Sequence, residues 1–209
     1  SGYDRNKLFI TTKISTTNMR SADIGATYAE SLKKLQMDYV NLLLLHFPVT
    51  EHRAKAWKSL EELYTQGKVK AIGVSNYTVR HLEELLANCK VKPVANQVEL
   101  SVVLQQPELV EYCKANDIIV QAYTPLAEGH FFNDPTLQAI AKKCGKSVPQ
   151  IMLRWCIDYG VVVLTKSVKE ERIRQNIDIF DFALDADDMK KLKALDQGHR
   201  TNWDPTDVE

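Results

Sequence analysis

Short apolar runs rich in β-branched residues alternate with amphipathic helical stretches along the 209 residues. Residues 8–12, 40–45, 69–74, 94–98, 118–122 and 161–164 read as strands, each starting roughly 24 to 43 residues after the last. A strand that reaches the next one through a helix lies parallel to it, so the pattern calls for a parallel sheet with helices outside. An open doubly wound sheet carries a Gly-rich phosphate turn after its first strand. Here the nearest glycines, Gly67 and Gly73, flank a strand instead of opening a helix. The expected fold is therefore α/β, a (β/α)8 TIM barrel with about six of its eight strand–helix units in this chain, in one domain over residues 1–209.

The helices are marked by their faces and caps. Residues 21–36 place Ile24, Tyr28, Leu32 and Leu35 on one side with Ser21 as cap, and residues 52–66 turn Trp57, Leu60, Leu63 and Tyr64 inward before Gly67. Thr78 caps a helix carrying Leu82, Leu85 and Leu86, and Pro107 opens one that runs to about Asn116. Two helices follow at 134–143 and 148–158, the second opened by a Ser147/Gln150 capping box. A short helix carries Arg172 and Asn176, and a last one over 186–195 starts at Asp185. The tail from Gly198 onward reads as polar loop.

Charge narrows the function. Lysines and arginines balance aspartates and glutamates at net +0, which gives no basic footprint for nucleic acid or an acidic membrane. No run is long and apolar enough to span a bilayer, and no signal peptide opens the chain. Cys89, Cys113, Cys144 and Cys156 lack close pairing and read as reduced core thiols of a cytoplasmic protein. Five scattered histidines give no metal-ligand spacing, so no metal is expected.

The chemistry-bearing residues fall where these strands end. The apolar run from Val40 to Leu45 stops at His46, with Pro48 just beyond it. Lys13, Ser75-Asn76, Asn96-Gln97 with Glu99, Tyr123 and Lys166-Ser167 occupy the corresponding ends of the other strands. In a barrel such ends converge on one mouth, where side chains act on substrate. Polar residues also populate either rim of any barrel, and a lone histidine there is often satisfied by a carbonyl.

The stretches Phe9-Ile10-Thr11-Thr12-Lys13, Asp38-Tyr39-Val40 through His46-Phe47-Pro48, and Gly67 through Tyr77 resemble the aldo-keto reductase family. So do Asn96-Gln97-Val98-Glu99, Ala122-Tyr123-Thr124-Pro125-Leu126, Leu153-Arg154-Trp155 and Lys166-Ser167. The likeness runs through nearly the whole chain and is strongest to the prostaglandin F synthase and diketogluconate reductase branch, which has a tail similar to Gly198-His199-Arg200. It implies NADPH-dependent reduction of aldehydes and ketones. Lys13 matches the lysine that tunes a tyrosine proton donor, and His46 the histidine that orients and polarises the carbonyl.

The same resemblance implies that Ser75, Asn76 and Gln97 hold the nicotinamide carboxamide while Tyr123 stacks on the ring, followed by Thr124, Pro125 and Leu126. Lys166, Ser167 and Arg172 would meet the 2′-phosphate and Asn176 the adenine, with Val168 and Gln175 also among the cofactor-binding residues. Thr165 stands where the family more often has proline. Arg200 and Trp203 fall where the family's C-terminal loop touches substrate. The partner is a small-molecule carbonyl, with no nucleic acid and no membrane, and a complete barrel of this kind is expected to be a monomer.

One departure bears on mechanism. The family's tyrosine and its aspartate come from the unit before the lysine strand, and neither Tyr3 nor Tyr39 matches that position. Losing a proton donor costs about 10²–10⁴-fold in general acid catalysis. Six units would also leave two parallel edges unpaired, so the expectation is that these residues are part of a longer reductase. The alternatives are a catalytically impaired nucleotide-binding fragment or pseudoenzyme, and an unrelated barrel using the Lys166-Ser167 loop for a phosphorylated metabolite.

Overall fold

The computed structural model describes residue 2 and residues 4–20 and 23–209. In chain order come β1 Thr11–Ile14, α1 Thr16–Met19, α2 Ile24–Leu35, β2 Leu42–Leu45, α3 Arg53–Thr65, β3 Ala71–Ser75, α4 Val79–Asn88 and β4 Ala95–Glu99. They are followed by α5 Pro107–Ala115, β5 Ile119–Tyr123, α6 Pro135–Cys144, α7 Val148–Asp158, β6 Val162–Val163, α8 Glu170–Ile177 and α9 Ala186–Lys193. The strands are ordered in the sheet as in the chain, β1 to β6. Contacts gather the chain into two compact units. One is Ser1–Asn96 with Ala115–Ile118 and Pro205–Glu209, the other Gln97–Lys114 with Ile119–Asp204.

In the first unit β1, β2 and β3 pair in parallel, with Lys13 beside Leu44 and Leu45 beside Val74. All four β2 leucines are buried, as a strand covered on both faces requires. Leu42, Leu44 and Ala95 form one core cluster with Ala71 against it. Gly73 lies in this layer because a Cβ there would come within 2.6 Å of the Ala95 carbonyl oxygen and 2.8 Å of Leu44 Cδ2. On the helices, Trp57, Leu60 and Leu63 of α3 point inward, and the Glu61 carboxylate accepts the Lys90 and Val91 N–H groups at 2.6 and 2.8 Å. The tail Pro205–Glu209 is held by this unit too, through Arg80 and His81 on the Val208 carbonyl.

In the second unit β5 and β6 pair in parallel, Gln121 beside Val162 and Ala122 beside Val163. Asp134 caps α6 with Pro135 at its first position, and Gly145 ends the helix at φ 64°. The Ser147/Gln150 box opens α7 as expected, with the Ser147 N–H donating to Gln150 Oε1 at 3.0 Å. Asp185 caps α9 in a box with Asp188, and Lys143 reaches both carboxylates.

Several expectations are corrected. The first strand begins three residues later than its apolar run, because Ile10 is held in an entry loop by the Asn41 side chain at 2.9 Å, and pairing then carries Lys13 inside β1. β4, expected over 94–98, is found at Ala95–Glu99. The last strand shrinks to Val162–Val163, with Leu164 and Thr165 exposed beyond it. Ser21 lies outside the described residues, and the cap of α2 is Asp23, which accepts the Ala26 N–H at 2.8 Å. Leu35 and Tyr64, expected inside, are exposed at the ends of their helices. The short α1 carries no apolar period that would announce it. Cys113 and Cys156 are buried free thiols, whereas Cys89 and Cys144 sit half-buried at helix ends.

Candidate active site

Lys13, His46, Ser75 and Asn76 gather at the ends of β1, β2 and β3 in the first unit. Parallel pairing sets their level, and the His46 N–H extends the ladder by donating to the Ile14 carbonyl at 3.1 Å. Asn76 adopts a left-handed backbone, φ 63°, a conformation asparagine tolerates better than most residues. That turn aims its amide back, so Nδ2 donates to the His46 carbonyl at 3.0 Å and to Ser75 Oγ at 3.2 Å. Lys13 Nζ lies 3.4 Å from the same Ser75 hydroxyl. His46 is thus fixed through its backbone on both sides.

The electrostatics follow from burial. Removing the Lys13 ammonium from water pushes its pKa down to about 8. Burial lowers the His46 pKa as well, and the neighbouring Lys13 charge lowers it further. At neutral pH the set therefore presents a cationic lysine beside a neutral imidazole, which still donates one N–H.

The remaining candidates belong to the second unit. Gln97 is buried and donates from Nε2 to Gln121 Oε1 at 2.9 Å. Tyr123 closes β5, and its phenol is pushed up to about 12 by burial and then by the Glu99 charge, with Arg200 acting the other way. A neutral phenol ring there is a flat apolar platform with a polar tip. Thr124 turns left-handed at φ 51°, Pro125 is buried and Leu126 is half-buried in the loop that follows.

Lys166 and Val168 are exposed in the loop after β6, with Arg172 and Gln175 exposed on α8. Ser167 Oγ accepts the Lys169 N–H at 3.1 Å, and Asn176 Nδ2 donates to Thr165 Oγ1 at 3.2 Å. Thr165, Ser167, Ile173 and Asn176 line an open cleft of about 570 Å³ floored by the β6 residues. A groove of about 490 Å³ between α6 and α9 holds none of the candidate residues.

Two residues noted only for their place on β4 have definite partners. Asn96 clips the Tyr77 backbone from both sides, by its Nδ2 at 2.8 Å and its Oδ1 at 3.4 Å. Glu99, 2% exposed, receives three donors from Thr201 and Asn202. No local pattern announces a contact between residues a hundred positions apart.

The Aldo/keto reductase family pattern matches residues 1–197. The chain is 44% identical over 208 residues to the glyoxal reductase of Bacillus subtilis (strain 168), covering 100% of this chain and 75% of that protein. It superposes with a TM-score of 0.96 on the crystal structure of the aldo-keto reductase MGS-M4 from a Medee basin deep-sea metagenome, at 40% identity. That match covers 100% of this chain and 79% of the other. A silkworm (Bombyx mori) aldo-keto reductase solved with NADPH aligns at TM-score 0.91 and 36% identity, over 96% of this chain and 68% of that one. The six parallel strands and their helices are accordingly units of a (β/α)8 barrel. The chain belongs to the aldo/keto reductase family of oxidoreductases.

Proposed function

We propose that this protein reduces small aldehydes and ketones to alcohols with NADPH, and that Lys13 and His46 act at the carbonyl. The observation that carries the reading is the compact set around Ser75, where an ammonium of lowered pKa sits beside a neutral imidazole whose backbone is held by β1 and Asn76. The neutral His46 N–H donates to the carbonyl oxygen and polarises it without adding a second cation. The Lys13 ammonium acidifies a donor hydroxyl placed beside it, and the proton from that donor goes to the oxygen. Among the residues of this sequence, Lys13 and His46 carry the roles assigned here.

The chemistry of the donor set fits the cofactor. Ser75, Asn76 and Gln97 offer a hydroxyl and two amides, the complement of a carboxamide, and Tyr123 offers a neutral aromatic face. Lys166 and Arg172 are exposed cations flanking the Ser167 hydroxyl, and Asn176 lines the same cleft. Val168 and Gln175 complete the phosphate and adenine end, and Thr124, Pro125 and Leu126 the loop after the platform. When bound, the reduced nicotinamide supplies a hydride to the carbonyl carbon.

Glyoxal, the substrate named for the Bacillus relative, is the first carbonyl to offer. Loss of NADPH absorbance with glyoxal, abolished in His46→Ala, supports the reading. A second reading is nucleotide binding without turnover. Quenching of tryptophan fluorescence by NADPH with no oxidation by any aldehyde would establish that one. Neither quenching nor oxidation would defeat both.

A further inference from the structure

Glu99 is a buried carboxylate with no cationic side chain bonded to it among the described residues, which needs an explanation. Its Oε1 accepts the Thr201 N–H and the Thr201 hydroxyl, each at 2.6 Å, and its Oε2 accepts the Asn202 N–H at 2.9 Å. These are short, charge-assisted bonds from two consecutive residues of an irregular segment. The segment is also tied by main-chain bonds, Gln197 and His199 N–H to the Val103 carbonyl, and by the edge-on packing of His199 against Phe131 at 5.0 Å and His130 at 6.2 Å.

From the anchored segment, Asn202 Nδ2 donates to Thr124 Oγ1 at 3.2 Å, on the left-handed residue directly after Tyr123. The Tyr123 carbonyl in turn accepts the Leu100 N–H at 3.2 Å, next to Glu99 itself. Glu99, Asn202, Thr124 and Tyr123 thus form a closed circuit. The same anchoring keeps Arg200 within electrostatic reach of the Tyr123 phenol.

We propose that Glu99 is a positioning residue: it fastens the 198–204 segment to the end of β4 and thereby sets the placement of Tyr123. The functional consequence rests on the reading that Tyr123 is the nicotinamide platform. The anchor itself does not.

Glu99→Gln tests it. Glutamine keeps the side-chain size and one oxygen, but its amide group opposes one of the N–H donors. By hydrogen–deuterium exchange on the full chain, the Thr201 and Asn202 amides should exchange at least about tenfold faster, with 123–126 also accelerated and α6 unchanged. Thr201→Val, which removes the hydroxyl's bonds to Glu99 and from Asn202 Nδ2 but keeps both N–H donors to the carboxylate, should accelerate the same amides less. Unchanged exchange at 201–202 would overturn the anchor. Equal acceleration in α6 would reduce Glu99 to general stability and overturn it too. NADPH titration separates this from the cofactor reading. If the wild type binds, Glu99→Gln should raise Kd about tenfold, and an unchanged Kd would refute the positioning role. If the wild type does not bind, the cofactor reading fails and the exchange rates still decide the anchor.

Discussion

Replacing Lys13 by methionine should stabilise the protein at neutral pH. The Lys13 ammonium is half-buried, and burial lowers its pKa from 10.5 to about 8. Folding therefore imposes a cost on the charged form. At about 1.36 kcal/mol per pKa unit the full shift corresponds to at most about 3.4 kcal/mol. Solvent screening of a partly exposed group reduces that to ~1–2 kcal/mol. Methionine matches the length of the stem and carries no charge, so Lys13→Met should recover most of it. Such a cost accords with the role proposed for Lys13 at the carbonyl.

The pH dependence gives the decisive sign. The unfolded lysine keeps its proton to about pH 10.4, whereas the folded one releases it near 8. Between those values the unfolded state binds more protons, so the wild type gains stability as pH rises. The penalty is complete below pH 8 and gone above about 10.5. Urea denaturation of both proteins at several pH values from 7 to 10 isolates the effect, since other titrating groups are common to both. The advantage of Lys13→Met should shrink steadily over that window. A variant no more stable at pH 7, or an advantage that stays constant to pH 10, would refute the assignment of the shift to burial.

Gly73→Ala should cost about 1–3 kcal/mol by overpacking, because the added Cβ meets the Ala95 carbonyl and Leu44; a denaturation midpoint equal to wild type would contradict the close approach. Glu61→Ala should lose about 2–3 kcal/mol by leaving the Lys90 and Val91 N–H groups without their acceptor, measured the same way. Arg172→Ala should weaken NADPH binding about tenfold with little change for NADH, by titration calorimetry, if the guanidinium meets the 2′-phosphate. Added salt should weaken NADPH binding in the wild type more than in that variant, since Arg172 is exposed.

The strand–helix alternation was legible because it is repeated and local. An apolar run such as Leu42–Leu45 between polar bounds has one physical solution, a strand covered on both faces, and the structure buries all four leucines. Ends were less legible. Whether Lys13 lies after its strand or inside it depends on where Leu44 comes to pair, which is a property of two segments and not of one. Tyr64 and Leu35 satisfied the helical period yet stayed outside, because period alone does not say how far the neighbouring element extends.

The candidate site divides along the same physical line. Lys13, His46, Ser75 and Asn76 could be picked out as strand-end residues, and pairing of adjacent parallel strands, with Lys13 level with Leu44 and Leu45 level with Val74, brings them to the same end of the sheet. Hydrogen bonds join Lys13 to Ser75 and Asn76 to both Ser75 and His46, so the set is organised before any substrate arrives. Glu99 has the same address, the end of a parallel strand, but acts on Thr201 and Asn202, whose approach is settled by the whole path of the chain between them. A strand-end position identifies which side chains can take part in chemistry. Which of them instead orders a neighbour is decided by contacts distant in sequence: the Gln97 amide reaches Gln121 on the next strand, whereas the Glu99 carboxylate reaches Thr201 and Asn202.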